Sequence, residues 1–146
     1  MYERGEGLAL LGVLENSDNE SFRVMAAEFL ARMENAEFLD DLGYCLIDTS
    51  ELVQMKVAIA LCYHGRDQGG VDFFYEWDFD KDLKLEVIPA LLALNSAAAR
   101  SVLEDAMMDS DPEIAEKAHQ ALLEGRKRAK NLESWEPEKI VGEEEI

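Results

Sequence analysis

The sequence predicts an all-α fold: a right-handed superhelix, or α-solenoid, of stacked antiparallel helix pairs, about four repeats in all. Three observations carry that expectation. One arrangement of residue types returns at an offset of about 31 residues, within the range of helical repeat arrays. Within each copy the apolar residues follow i, i+4, i+7, i+8 spacing, which is one face of a helix. Each copy opens on a good helix N-cap and is followed by a residue that ends helices readily.

Taken in order, "GLALLGVLEN" (7–16) reads as a lone second helix ahead of the first full pair. Four first helices follow: "NESFRVMAAEFL" (19–30), "SELVQMKVAIAL" (50–61), "DKDLKLEVIPAL" (80–91) and "DPEIAEKAHQAL" (111–122). Their caps are Asn19, Ser50, Asp80 and Asp111, whose short side-chain oxygens can accept from open N–H groups of the first turn. The stripe then runs Phe22, Ala26, Phe29, Leu30 in the first copy and Val53, Val57, Ala60, Leu61 in the second. Leu83, Val87, Ala90, Leu91 and Ile114, Ala118, Ala121, Leu122 complete it. Pro112 falls at the first helical position, where its missing N–H costs nothing. Pro89 lies inside the third first helix and should remove a bond to Leu85 and bend the rod.

Second apolar segments fill the intervals: "ENAEFLDDLGYCLID" (34–48), "QGGVDFFYEWD" (68–78), which is short and aromatic, and "NSAAARSVLEDAMMD" (95–109). They end at Asp48, Asp78 and Asp109. Asn35, Gly65, Asn95 and Gly125 stand at the expected helix exits, since they tolerate the left-handed conformation there. The whole amounts to eight or nine helices, each pair burying its stripe against a neighbour because one pair alone has too little apolar surface.

The pattern cap–x–x–apolar–x–x–x–Ala–x–x–Ala–Leu, preceded by an aspartate, resembles the HEAT-like repeats, especially the short kind first described in phycobilisome lyases. The resemblance covers roughly residues 17–125 and is closest at 111–122. It implies a single HEAT-like repeat domain over 1–132 with a C-terminal capping segment and acidic tail over 133–146. It also implies that the second helices line a concave side. The family often places arginine just after the first apolar residue; here only Arg23 does, against Gln54, Lys84 and Ala115. Repeats of this kind serve unrelated tasks, so the resemblance speaks for fold more than for function.

Charge bounds the partners. The 146 residues carry 32 acidic and 14 basic side chains, a formal net charge of −18. That excess speaks against nucleic acid, whose affinity rests on Lys and Arg, and against an anionic membrane surface. It favours a protein or peptide with a basic surface, and it is also what general acidity or salt adaptation would produce without any partner. No apolar stretch of about 20 residues offers a membrane span. The N-terminus lacks a basic leader and a small-residue cleavage site. Cys45 and Cys62, in apolar helical context, read as buried reduced thiols, and the expected location is cytoplasmic.

Catalytic signals are missing, so no enzyme activity and no cofactor are expected. HEAT-like di-iron hydroxylases present His-Glu pairs, but His64 is followed by Gly65 and His119 by Gln120. Cys62 and His64, two apart on a helix, point to opposite sides and cannot form a nucleophile and base. "DQGGVD" lacks the Lys-Ser/Thr of a phosphate loop. "DFDKD" has alternating acids but neither the glycine nor the glutamate of a calcium loop, and reads as a turn with an N-cap. HEAT-like DNA glycosylases work through a basic concave face, the opposite of this charge.

The functional expectation is therefore a non-catalytic scaffold or adaptor. Its solvent-side positions on the second helices are Asp40, Asp41 and Tyr44, then Asp72, Phe73 and Glu76, then Ser101, Glu104, Asp105 and Met108. Acids with a few apolar points suit a basic peptide or helix. One alternative is an immunity or inhibitor protein for a basic toxin. Another is a lyase-like tetrapyrrole-binding factor, with Phe73, Phe74, Tyr75, Trp77 and Phe79 as walls and Arg66 as the cation; core packing is the competing use of those rings. The basic run Arg126, Lys127, Arg128 and Lys130 should complement a helix C-terminus. Trp135, Ile140 and Val141 are candidates to cap the last repeat.

Overall fold

The computed structural model describes residues 3–34, 38–66 and 70–134. Every regular element among them is helical. In chain order these are α1 (Glu3–Asn16), α2 (Glu20–Arg32), α3 (Leu39–Tyr44), α4 (Glu51–Tyr63), α5 (Lys81–Leu94), α6 (Ala97–Ala106) and α7 (Pro112–Ser134). Two 3-10 helices accompany them, Cys45–Ile47 directly after α3 and Val71–Phe74 between α4 and α5.

The caps do what their side chains allow. Asn19 accepts from the Phe22 N–H at 3.1 Å, Ser50 from Val53 at 3.2 Å, and Asp80 from Leu83 at 2.9 Å. Ser96 caps α6 in the same way, and Asp111 takes the Glu113 N–H at 2.9 Å. Two residues before the cap a further side chain fixes the approach. Ser17 accepts from the Asn19 N–H, Asp48 from the Ser50 N–H and Asp109 from the Asp111 N–H. Asp48 and Asp109, the aspartates before the second and fourth stripes, are thus turn devices that aim the chain into the next helix.

The first helices α2, α4, α5 and α7 pack in sequence, each on the one before. The second elements form another layer: α1 on α2, α3 and the Val71–Phe74 turn on α4, and α6 on α5 and α7. Leu30, Leu61, Leu91 and Leu122 are all buried in the seam. The middle helix α4 is buried on two sides. Val53, Val57, Ala60 and Leu61 join Ala26, Ala27 and Leu30 of α2, while Met55, Ala58, Ile59 and Cys62 join the core built on α5, α6 and α7.

Four expectations need correction. Phe22 and Phe29, stripe residues of the first copy, are 56% and 47% exposed, because no first helix precedes α2 among the described residues to cover that edge. The second segment of the second copy is only the 3-10 turn Val71–Phe74; its missing bulk is replaced by Phe74, fully buried, with Phe73, Trp77 and Phe79 packed on the same core. Gly125 does not end its helix, since α7 continues to Ser134. A Cβ there would lie 2.6 Å from Asn95 Oδ1, and Asn95 Nδ2 donates to the Gly125 carbonyl at 3.1 Å, so this glycine serves close approach of α5 to α7. For the same reason Arg126, Lys127, Arg128 and Lys130 are not in the last turn of α7 and do not offset its C-terminal dipole.

Gly65 (φ 79) and Asn95 (φ 51) do take the left-handed conformation as helix exits. α5 runs through Pro89 without a break. Asn35, Trp135, Ile140 and Val141 lie outside the described residues, as does the tail beyond Ser134.

Candidate functional site

The residues expected to meet a partner all fall on the second layer. Asp40, Asp41 and Tyr44 are on α3; Asp72 and Phe73 are in the 3-10 turn, with Glu76 just past it. Ser101, Glu104 and Asp105 are on α6, and Met108 lies in the turn that follows. Asp40, Asp41, Asp72, Glu76, Ser101, Glu104 and Asp105 are exposed. Tyr44 and Met108 are 73% and 84% exposed, and Ile47 between α3 and α4 is 85% exposed. Phe73 is the exception: it packs partly into the core, because the shortened second segment needs its ring there.

Asp40 and Tyr44 share a small cavity of about 310 Å³ with Leu39, Gly43, Leu61 and Arg66, and Arg66 pairs with Asp40 at 3.1 Å. Among the described residues, Asp41, Asp72, Glu76, Glu104 and Asp105 form no ion pair.

Most cations near the core are committed elsewhere. Arg23 holds Asp48 through two bonds of 3.0 and 3.2 Å and donates to the Ser17 carbonyl at 2.8 Å. Lys84 holds Asp109 at 2.7 Å, and Trp77 Nε1 donates to the same carboxylate at 3.0 Å. The Lys84 bond, the Asp111 N–H and Trp77 outweigh burial and hold the Asp109 carboxyl below its ordinary range. Lys81 bridges α5 to the start of α7 through Asp111 and Glu113. Arg100 donates to the Asn95 carbonyl.

The feature that sequence reading missed is a groove of about 610 Å³ across α2, α4 and α5. Glu28, Arg32, Lys56, Tyr63, Glu86 and Pro89 help to line it. Lys56, buried on α4, reaches Glu28 of α2 at 2.8 Å and Glu86 of α5 at 2.6 Å. Burial pulls its pKa down, but the bonds to the two carboxylates more than offset that and hold it above its usual value. The signal was present: a lone lysine inside the apolar run "VQMKVAIAL", with Glu86 at the equivalent position of the next copy.

Phe73, Phe74, Trp77 and Phe79 pack into or against the core, while Tyr75 is 47% exposed. Trp77 sits at φ 53, left-handed for a bulky residue, and is held by Asp109 and by the edge of Phe79 at a ring distance of 5.0 Å. Lys84 lies over its ring at 5.7 Å. His64 bonds the Leu30 carbonyl at 2.8 Å and meets Phe38 edge-on, while His119 is exposed on α7. Burial first, and then nearby Glu15, Asp48 and Asp41, push the Cys45 thiol up to about 11. The described residues hold no cluster of three metal-binding side chains. No described helix is long and apolar enough to cross a membrane.

No protein-family model matches the chain, and none of the curated proteins matches it.

Proposed function

We propose that this chain is a non-catalytic adaptor, a right-handed HEAT-like solenoid of about four repeats whose second layer receives a protein or peptide with a basic surface. The observation that carries this reading is the set of exposed carboxylates Asp41, Asp72, Glu76, Glu104 and Asp105, none of which has an ion-pair partner among the described residues. A net charge of −18 surrounds them, and Tyr44 and Met108 stand among them as apolar anchors. Acidic groups steer a basic partner and set its register, while aromatic and thioether side chains supply contact area. The reading takes the protein to be cytoplasmic and assigns it no cofactor, nucleic acid or lipid. An inhibitor of a basic toxin is one form that such an adaptor could take.

Affinity capture followed by a charge-reversal series tests it. Asp41→Lys, Asp72→Lys and Glu104→Lys together should abolish retention of the captured partner and leave the helical circular dichroism and melting transition unchanged. Equal retention by the triple variant removes this face from consideration.

A further inference from the structure

We infer that α2 carries a self-association edge, through which two copies of this chain pair with their α2 helices antiparallel about Met25. The inference is independent of the acidic face on the other layer.

In α4, the residues at three, seven, ten and eleven places past the cap face the preceding first helix: Val53, Val57, Ala60 and Leu61 cluster with Ala26, Ala27 and Leu30. The same places in α5 and α7 are Leu83, Val87, Ala90, Leu91 and Ile114, Ala118, Ala121, Leu122, none more than 9% exposed. On α2 only half of this set is covered. Ala26 and Leu30 are buried, whereas Phe22 is 56% and Phe29 47% exposed, with Met25 between them at 49%. These three lie at i, i+3 and i+7, along one edge of the helix.

The terminal unit of a repeat array normally turns a polar face outward. Among the described residues, α7 does so on its open side. The places that in α4 face the following helix hold Met55, Ala58, Ile59 and Cys62; in α7 they hold Glu116, His119, Gln120 and Leu123, all exposed. The α2 end instead carries two phenylalanines where later copies have Val, Leu or Ile and Ala. Copies joined head to tail would set those rings against Glu116, His119 and Gln120. Copies joined edge to edge let the stripe meet itself, which is the isologous arrangement of a two-fold dimer.

Charge fixes the register. With Met25 near the axis, Phe22 of one copy comes against Phe29 of the other. Arg32, seven residues past Met25, then comes opposite Asp18, seven before it, twice by symmetry. Both are exposed, and Arg32 already lies over the Phe29 ring at 5.8 Å. A single helix edge is smaller than a standard interface, so the dimer should be weak and concentration-dependent.

Sedimentation equilibrium at physiological salt, where self-repulsion of the acidic chains is screened within about 8 Å, is the test. The chain should move from monomer toward dimer mass as concentration rises. Phe22→Glu with Phe29→Glu should stay monomeric at every concentration with an unchanged melt. Arg32→Asp should weaken association by about threefold to tenfold, and adding Asp18→Arg should restore it. Met25→Cys should form a disulfide dimer under mild oxidation. A chain that is monomeric throughout, a double glutamate variant that dimerises like the parent, or a dimer in which Met25→Cys fails to cross-link would each overturn the inference.

Discussion

Lys84 Nζ lies 2.7 Å from Asp109 Oδ2, and in that contact the third first helix grips the turn that launches the fourth. Arg23 grips Asp48 in the same way two full units earlier, also across twenty-five residues. The cation sits four places past one cap and the carboxylate two places before the next. The carboxylate also holds the N–H of that cap residue, so one aspartate ties the preceding helix to the start of the following one. Between these copies Gln54 occupies the cation's place; it cannot form an ion pair and donates to the Asp48 carbonyl instead, leaving Asp78 exposed.

Asp109→Ala should therefore cost about 2 kcal/mol in a denaturant titration, since it strands Lys84, the Trp77 N–H and the Asp111 N–H in a largely enclosed place. Asp109→Asn exposes the pH dependence. The folded carboxyl is held low by Lys84 first, so the stabilisation is complete above the ordinary aspartate pKa of about 3.9 and is lost as pH falls from there through the folded value. The stability gap between parent and Asp109→Asn should narrow on acidification. A gap constant with pH would show that the charge of Asp109 contributes nothing.

Lys56 makes a contrasting case. Its ammonium is buried, but Glu28 and Glu86 are 40% and 48% exposed and can return to water when it is removed. Lys56→Met keeps the volume and strands no buried charge, so its stability should change by less than about 1 kcal/mol. Lys56→Glu puts a third carboxylate in the same place and should cost about 3 kcal/mol or more. Thermal melts of the two variants decide it; equal losses would mean that packing, not charge, sets the tolerance here.

At Gly125 two effects of opposite sign compete. Alanine in a helix interior is favoured over glycine by about 1 kcal/mol, yet its Cβ would meet Asn95 Oδ1 at 2.6 Å. Asn95 is anchored by its own bond to the Gly125 carbonyl, so it cannot swing away without losing that bond. Gly125→Ala should thus be destabilising in spite of its helix propensity. Adding Asn95→Gly, which suits the left-handed exit and removes the obstructing oxygen, should recover the loss. A Gly125→Ala variant more stable than the parent would contradict this reading of the contact.

What the sequence made legible follows from what is local. Caps, stripes and exits act within a few residues, so Asn19, Ser50, Asp80, Gly65 and Asn95 could be placed from spacing alone, and the buried leucines with them. Gly125 could not, because the reason for it lies thirty residues away on another helix. Phe22 and Phe29 fit the stripe but lack a neighbour, and periodicity does not reveal which copy stands at an edge. Lys56 was hidden differently: a charge in an apolar run announces itself, but its partners belong to two other helices. On the second layer the exposed acids were readable as solvent-side positions. Phe73 was not, since the shortened segment drew it inward.

The most direct measurement is a residue-by-residue NMR titration of the isotope-labelled chain with its captured basic partner. Saturable shifts concentrated at Asp40, Asp41, Tyr44, Asp72, Glu76, Glu104, Asp105 and Met108, with Glu28, Tyr63 and Glu86 unmoved, are the expected result. Shifts centred instead on the groove of the first helices, or no saturable shift on the second layer, would contradict it.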